Sequence, residues 1–160
     1  MPSQFDTIRD WIGDLTGIRP IPYAPDKPRP ARPYLMLHLT DVAPLTQAPA
    51  HILPTGDDAD PTDTIITDTE LRTSLHAYGD DAVDRLTIFA GVRHLPSVCA
   101  PLGAIRLHEV GRIESVPELV GTKYEDRSIL RLIFHAPAIG VHPGSAIKVA
   151  PVTVIEESSQ

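Results

Sequence analysis

The hydrophobic pattern along the chain changes period several times, and each change marks an element. Residues 3 to 17 put Phe5, Ile8, Trp11, Ile12 and Leu15 on one stripe, the spacing of an amphipathic helix, with Ser3 placed to cap it and Gly17 to stop it. "PYLMLHLTDV" alternates instead. Leu35, Leu37 and Leu39 fall on one side and Tyr34, Met36, His38 and Thr40 on the other, the period of a half-buried strand. A short strand around His51 to Leu53 is predicted to pair, through the acidic turn "PTGDDADPTD", with a long strand over residues 64 to 78. Within that strand Leu71, Thr73, Leu75 and Ala77 oppose Arg72, Ser74, His76 and Tyr78. At Gly79 the period switches, and Ala82, Leu86, Phe89 and Ala90 recur at helical spacing, predicting a helix from residue 80 to about 95. Gly79 can supply the positive φ of the turn, and Asp80 or Asp81 can accept hydrogen bonds from the first free amides of the helix.

Alternation then resumes. "AIRLHEVGRI" sends Ile105, Leu107 and Ile113 inward and Arg106, His108 and Arg112 outward. "EDRSILRLIFHA" sends Leu130, Leu132 and Phe134 one way and Arg127, Ile129, Arg131, Ile133 and His135 the other. "SAIKVAPVTVIEE" reads as a last strand, which Pro151 confines to a sheet edge or a bulge because it has no N–H to donate. Runs of strands with few helices between them predict an α+β fold. It is a mostly antiparallel sheet with the N-terminal helix and a second helix packed on one face. The 160 residues fit a single domain: a helix over 1–17, an arm over 18–33, a sheet-and-helix body over 34–155 and a flexible tail over 156–160.

Composition sharpens the arm. Six prolines stand between residues 20 and 33, a density that forbids helix and favours a stiff, extended and largely unpaired path. Residues 18 to 33 hold Arg19, Lys27, Arg29 and Arg32 against Asp26, a local charge of +3 in a chain of −7. A basic strap therefore crosses an acidic body, and that body is the wrong sign to grip nucleic acid through its phosphates. No apolar run is long enough to span a membrane, and charges stand where a signal peptide needs an apolar block, so the expected setting is a cytoplasm. The single Cys99 has no CxxC partner and reads as a small buried residue.

Candidate chemistry is thin. Asp57, Asp58, Asp60 and Asp63 offer hard oxygen ligands, but their loop lacks the register, central glycine and closing glutamate of an EF-hand. The seven histidines include no pair at an HxH or HxxxH ligand spacing, and His38, His76, His108 and His135 all lie on the polar sides of predicted strands. There is no GxSxG elbow and no phosphate-cradling glycine loop. Glu125, Asp126 and Arg127 read as an ion-paired surface at a strand entrance. The expectation is no enzyme, no cofactor and no metal, which leaves binding or assembly.

Four ordered features carry a resemblance. They are the tryptophan-bearing first helix, the proline-rich strap entering "RPARPYLMLHL", the strand-to-helix unit "LRTSLHAYGDDAVDRL" and the late "VPELVGTKYEDRSILRLIF". In this order, over residues 5 to about 136, the chain resembles the neck or tail terminator proteins of long-tailed phages. The resemblance implies a structural virion protein, assembled in the host bacterial cytoplasm. It would form a homo-oligomeric ring, commonly a hexamer, on the tail tube protein, stop tube growth, and meet the head completion or connector protein. DNA would pass its channel without specific binding, and no membrane would be involved. The subunit-interface residues expected on this reading are Arg29, Arg32, Tyr34, Arg72, His76, Glu125, Arg127, Arg131 and Pro151. Two other classes stay open at this point: a non-viral cytoplasmic adaptor or binding module, and a small metal-dependent hydrolase built on the aspartate loop with His135 or His142.

Overall fold

The computed structural model describes residues 3–143 apart from 25, 48, 50, 58, 59, 94 and 121. Helix α1 (Gln4–Thr16) starts where the Ser3 hydroxyl accepts the Asp6 N–H at 3.1 Å and stops at Gly17, which takes φ 74°. Three strands follow: β1 (Ile21–Pro22), β2 (Tyr34–Pro44) and β3 (His51–Pro54). Strand β4 (Thr62–Tyr78) leads into α2 (Ala82–Val92), a short helix α3 (Pro96–Cys99) and a 3₁₀ turn. Strands β5 (Arg106–Ser115), β6 (Glu118–Val120), β7 (Lys123–Glu125) and β8 (Arg127–Pro143) complete the described chain. The fold is α+β, as the pattern predicts.

The main sheet runs β1-β2-β4-β8-β5, with β3 also on β4, and β6 and β7 make a separate hairpin. Every pairing is antiparallel except that of β1 with β2. Strands β4 and β8 pair along their full lengths, from Thr62↔Pro143 to Tyr78↔Arg127. They are the spine of the molecule. Leu71, Leu75, Leu130, Leu132 and Phe134 point from this spine into one core, where they meet Ile8, Trp11 and Ile12 of α1 and Leu86 and Phe89 of α2. Trp11 stands edge-on to Phe89 and Phe134, at centroid distances of 5.3 and 6.1 Å, and its indole N–H donates to the Val98 carbonyl at 2.6 Å.

Four local outcomes differ from the sequence reading. Strand β5 shifts register twice, between Leu107 and Glu109 and between Val110 and Ile113, so Leu107, Val110 and Ile113 all pack on the core at intervals of three. Simple alternation identifies the first and last of these and misses Val110. Gly79 has φ 122° as the turn requires, but Asp81 makes no side-chain cap bond; its carboxylate pairs with Arg85 instead. The second helix ends at Val92 rather than near 95, since Pro96 disfavours helical geometry at Leu95, which is extended at φ −79°, ψ 121°.

The fourth difference is β8, which runs seven residues past the expected end at Ala136. Pro137 does not stop it because the last pairing with β5 is Arg106↔His135, so beyond that point β8 has β4 alone as a neighbour. The Pro137 carbonyl on this free side accepts the Gln4 side-chain amide at 2.6 Å. Past Pro137 the sheet continues as a three-stranded ribbon of β3, β4 and β8 on which Ile52, Leu53, Ile139 and Val141 are exposed. The predicted last strand with Pro151, and the tail after it, lie outside the described residues.

Candidate functional site

With the helices on one side of the sheet, the even-numbered side chains of β4 and the odd-numbered ones of β8 emerge on the other. This face carries nearly every residue that the sequence singles out, and it divides into a covered half and an open half.

The covered half lies under the chain's own arm. Two residues of the arm pair as β1 with Met36 and Leu37, so the path is not wholly unpaired, and the Lys27 N–H closes a turn on the Ala24 carbonyl at 3.3 Å. The Tyr23 N–H donates to Leu37 at 3.0 Å, and its ring stacks on His38 at 4.5 Å and lies 5.9 Å from His76. Further along, the Tyr34 and Tyr78 rings stack at 4.4 Å with 13° between their planes, and the Arg29 guanidinium sits 5.3 Å from the Tyr78 centroid.

Glu118, at the start of β6, fastens the assembly. Its carboxylate accepts from Arg29 at 3.0 and 3.1 Å, from Arg127 at 3.1 Å and from the Tyr78 hydroxyl at 3.2 Å. Next to it Glu125 takes Arg32 at 2.6 Å and Arg29 at 3.5 Å. Arg29, Arg32, Tyr34, Glu125 and Arg127 thus come together, and the contacts among them are made within a single chain. The hydrogen bond from Arg29 holds the Glu118 carboxyl below the usual range against the opposing effect of burial, and Arg127 adds to it. Burial pushes the Tyr78 hydroxyl up to about 12. Two members of this clasp, Glu118 and Tyr78, are absent from the sequence-based interface set. Tyr78 was legible as the outward end of its strand, whereas Glu118 had no marker beyond its place in "VPELVGTKYEDRS".

His76 is buried beside the clasp, with Nε2 3.1 Å from the Ser74 hydroxyl. Burial lowers its pKa to about 4, with smaller contributions from Arg127 and His38 in the same direction and from Glu118 against it. The unfolded chain, with an ordinary histidine pKa of 6.5, therefore binds more protons than the folded one between these two values. Stability is expected to fall as the pH drops from 6.5 towards 4. Between pH 6.5 and 5 most carboxylates stay ionised, and the difference between variant and wild type separates His76 from the other six histidines. Urea titrations across that window should give a shallower pH slope for His76→Gln than for the wild type; equal slopes would show that His76 does not contribute.

The open half holds Arg72 and Arg131. Arg72 gives its Nε to Glu70 at 2.6 Å, and Arg131 makes a two-pronged pair with Glu114 at 2.9 and 3.3 Å, yet their side chains remain 58% and 68% exposed. Together with Arg112 and Glu109 they line an open groove of about 480 Å³. His135 stacks on His108 at 4.1 Å and lies 3.6 Å from Glu70. Arg127 and Arg131 are therefore on one face but in different halves of it, each with its own glutamate.

Among the described residues no group of three or more His, Cys, Asp or Glu side chains is placed to hold a metal. In the aspartate loop the Asp57 carboxylate accepts the Asp60 N–H at 2.8 Å. Cys99 is half-buried and donates to the Arg93 carbonyl at 3.2 Å. No described helix is long and apolar enough to cross a membrane.

Fold and site together define an α+β protein whose conspicuous polar residues are organised as ion-paired surface. The chain belongs to the phage neck terminator protein family, whose sequence profile matches residues 5–158. It is therefore a phage protein of a structural kind. A search of curated proteins finds no match.

Proposed function

We propose that this chain is a non-enzymatic virion component that forms a ring on the end of the tail tube, terminates tube polymerisation and joins the tail to the head connector. The family match over nearly the whole chain is the observation that carries this reading. The charge distribution supports it, since an acidic body lining a channel repels phosphate and lets DNA slide. The two halves of the sheet's polar face have different parts in it. The arm, fastened by Glu118 and Glu125, finishes the subunit's own surface, and the open half with Arg72 and Arg131 meets a neighbour. Ring order is left to measurement, with six the family expectation. Size-exclusion chromatography with light scattering, on the chain alone and with tail tube protein, tests the reading. A closed oligomer in either sample is expected, and a strict monomer in both would contradict it.

A further inference from the structure

The open groove and the ribbon differ in chemistry and lie far apart on one subunit. Of the three arginines that line the groove, Arg112 has no ion pair among the described residues, and Arg72 hydrogen-bonds its glutamate through Nε alone, with Asp41 and Glu109 near enough to act on its charge. Two glutamates, Glu109 and Glu114, also line it, and Arg131 already occupies Glu114. The groove's lining has three arginines to two glutamates, whereas the ribbon is acidic throughout. Residues 51 to 68 contain five aspartates and no lysine or arginine. Described residues at its tip are tied by hydrogen bonds: Thr55 and Gly56 donate to the Thr62 carbonyl at 2.9 and 3.3 Å, and Asp60 donates to Asp57 at 2.8 Å. Asp60 is exposed there. Leu53, 47% exposed, and Val141, 70% exposed, lie in one cross-strand row through Thr64, which adds apolar surface beside the charges.

From Thr73 in the groove to Thr64 in the ribbon is nine residues along β4, a separation of about 30 Å. No subunit can put its own tip into its own groove across that distance along a paired strand. A second copy can. We propose that the arginine groove takes the acidic ribbon tip of a second copy of this chain, with Arg112 facing Asp60. The contact joins two different patches, so a copy that gives its tip to one neighbour still offers its groove to another, which is the head-to-tail arrangement that closes into rings. Exposed ion pairs contribute little singly, so the arginines select the partner and the register while Leu53 and Val141 supply buried area.

This contact rests on the ring reading, and the test separates the two. Arg112→Glu removes no ion pair among the described residues, so its thermal melt should match that of the wild type, while the association constant by sedimentation equilibrium should fall roughly tenfold or more. Asp60→Arg should weaken assembly in the same way, and the double variant Arg112→Glu/Asp60→Arg should recover most of the loss. The wild-type association should also weaken as salt is raised. Recovery in the double variant establishes the contact. Rings that form equally well in both single variants overturn it and leave the ring reading intact. A wild-type chain that stays monomeric alone and with tail tube protein overturns both.

Discussion

Replacing Trp11 with alanine is expected to cost about 3–5 kcal/mol of folding stability, the largest loss of any single truncation considered. Trp11 is 2% exposed and sits where α1, α2 and β8 meet, edge-on to Phe89 and Phe134. Truncation would open a cavity between all three elements and leave the Val98 carbonyl without the indole N–H. Trp11→Phe should recover part of the packing and none of the hydrogen bond, so its loss should be intermediate. The consequence reaches the polar face, because α1 also anchors the arm: Arg9 donates from Nε to the Pro20 carbonyl at 2.9 Å. Urea denaturation of the two variants measures the effect. A Trp11→Ala protein within about 1 kcal/mol of the wild type would mean that α1 is not integral to the core.

The second large effect is expected at Glu118. Its side chain and those of Arg29 and Arg127 are each less than a third exposed, and it is the common acceptor for both arginines and for Tyr78. Glu118→Ala would leave two guanidinium groups close together without their shared anion, and should cost about 1–3 kcal/mol. Glu114→Ala is the control. It removes the partner of Arg131, a more exposed pair at 68% and 42%, and should cost about 0–0.5 kcal/mol. The Glu118 variant should also expose its arm, read as faster trypsin cleavage after Lys27 or Arg29. Equal stabilities for the two variants would show that the clasp contributes no more than an ordinary surface ion pair.

These two sites differ in how far the sequence disclosed them. Trp11 was legible, because the stripe it shares with Ile8 and Ile12 has the helix period and all three are buried. The same holds for Leu130, Leu132 and Phe134, where alternation alone separates the core face from the polar face. Glu118 was not legible. It meets Arg29 across 89 positions, and a contact between distant charges leaves no periodic trace in a sequence. The bulges of β5 escaped for a related reason: an inserted residue is recognised by what opposes it on β8, and only the pairing shows that. The proline of β8 was a matter of context. Pro137 falls just past the alternating run, and the strand continues through it because β5 begins only at Arg106, which leaves Pro137 on a free edge. The arm was half legible. Its composition announced an extended basic strap that would seek acidic partners, but the fold brings Glu118 and Glu125 of the same chain to Arg29 and Arg32, so those partners are internal.

That internal clasp shifts the expected contact between copies to the open half of the face, and leaves the central claim, that the chain ends tail tubes, to be decided by their length. The direct measurement is electron microscopy of tails made in host cells by a phage lacking this gene, with and without the chain supplied in trans. With it, tails should have one length and end in a ring at the head-proximal side, and without it they should be irregular and headless. Tails of one length in its absence would contradict the account.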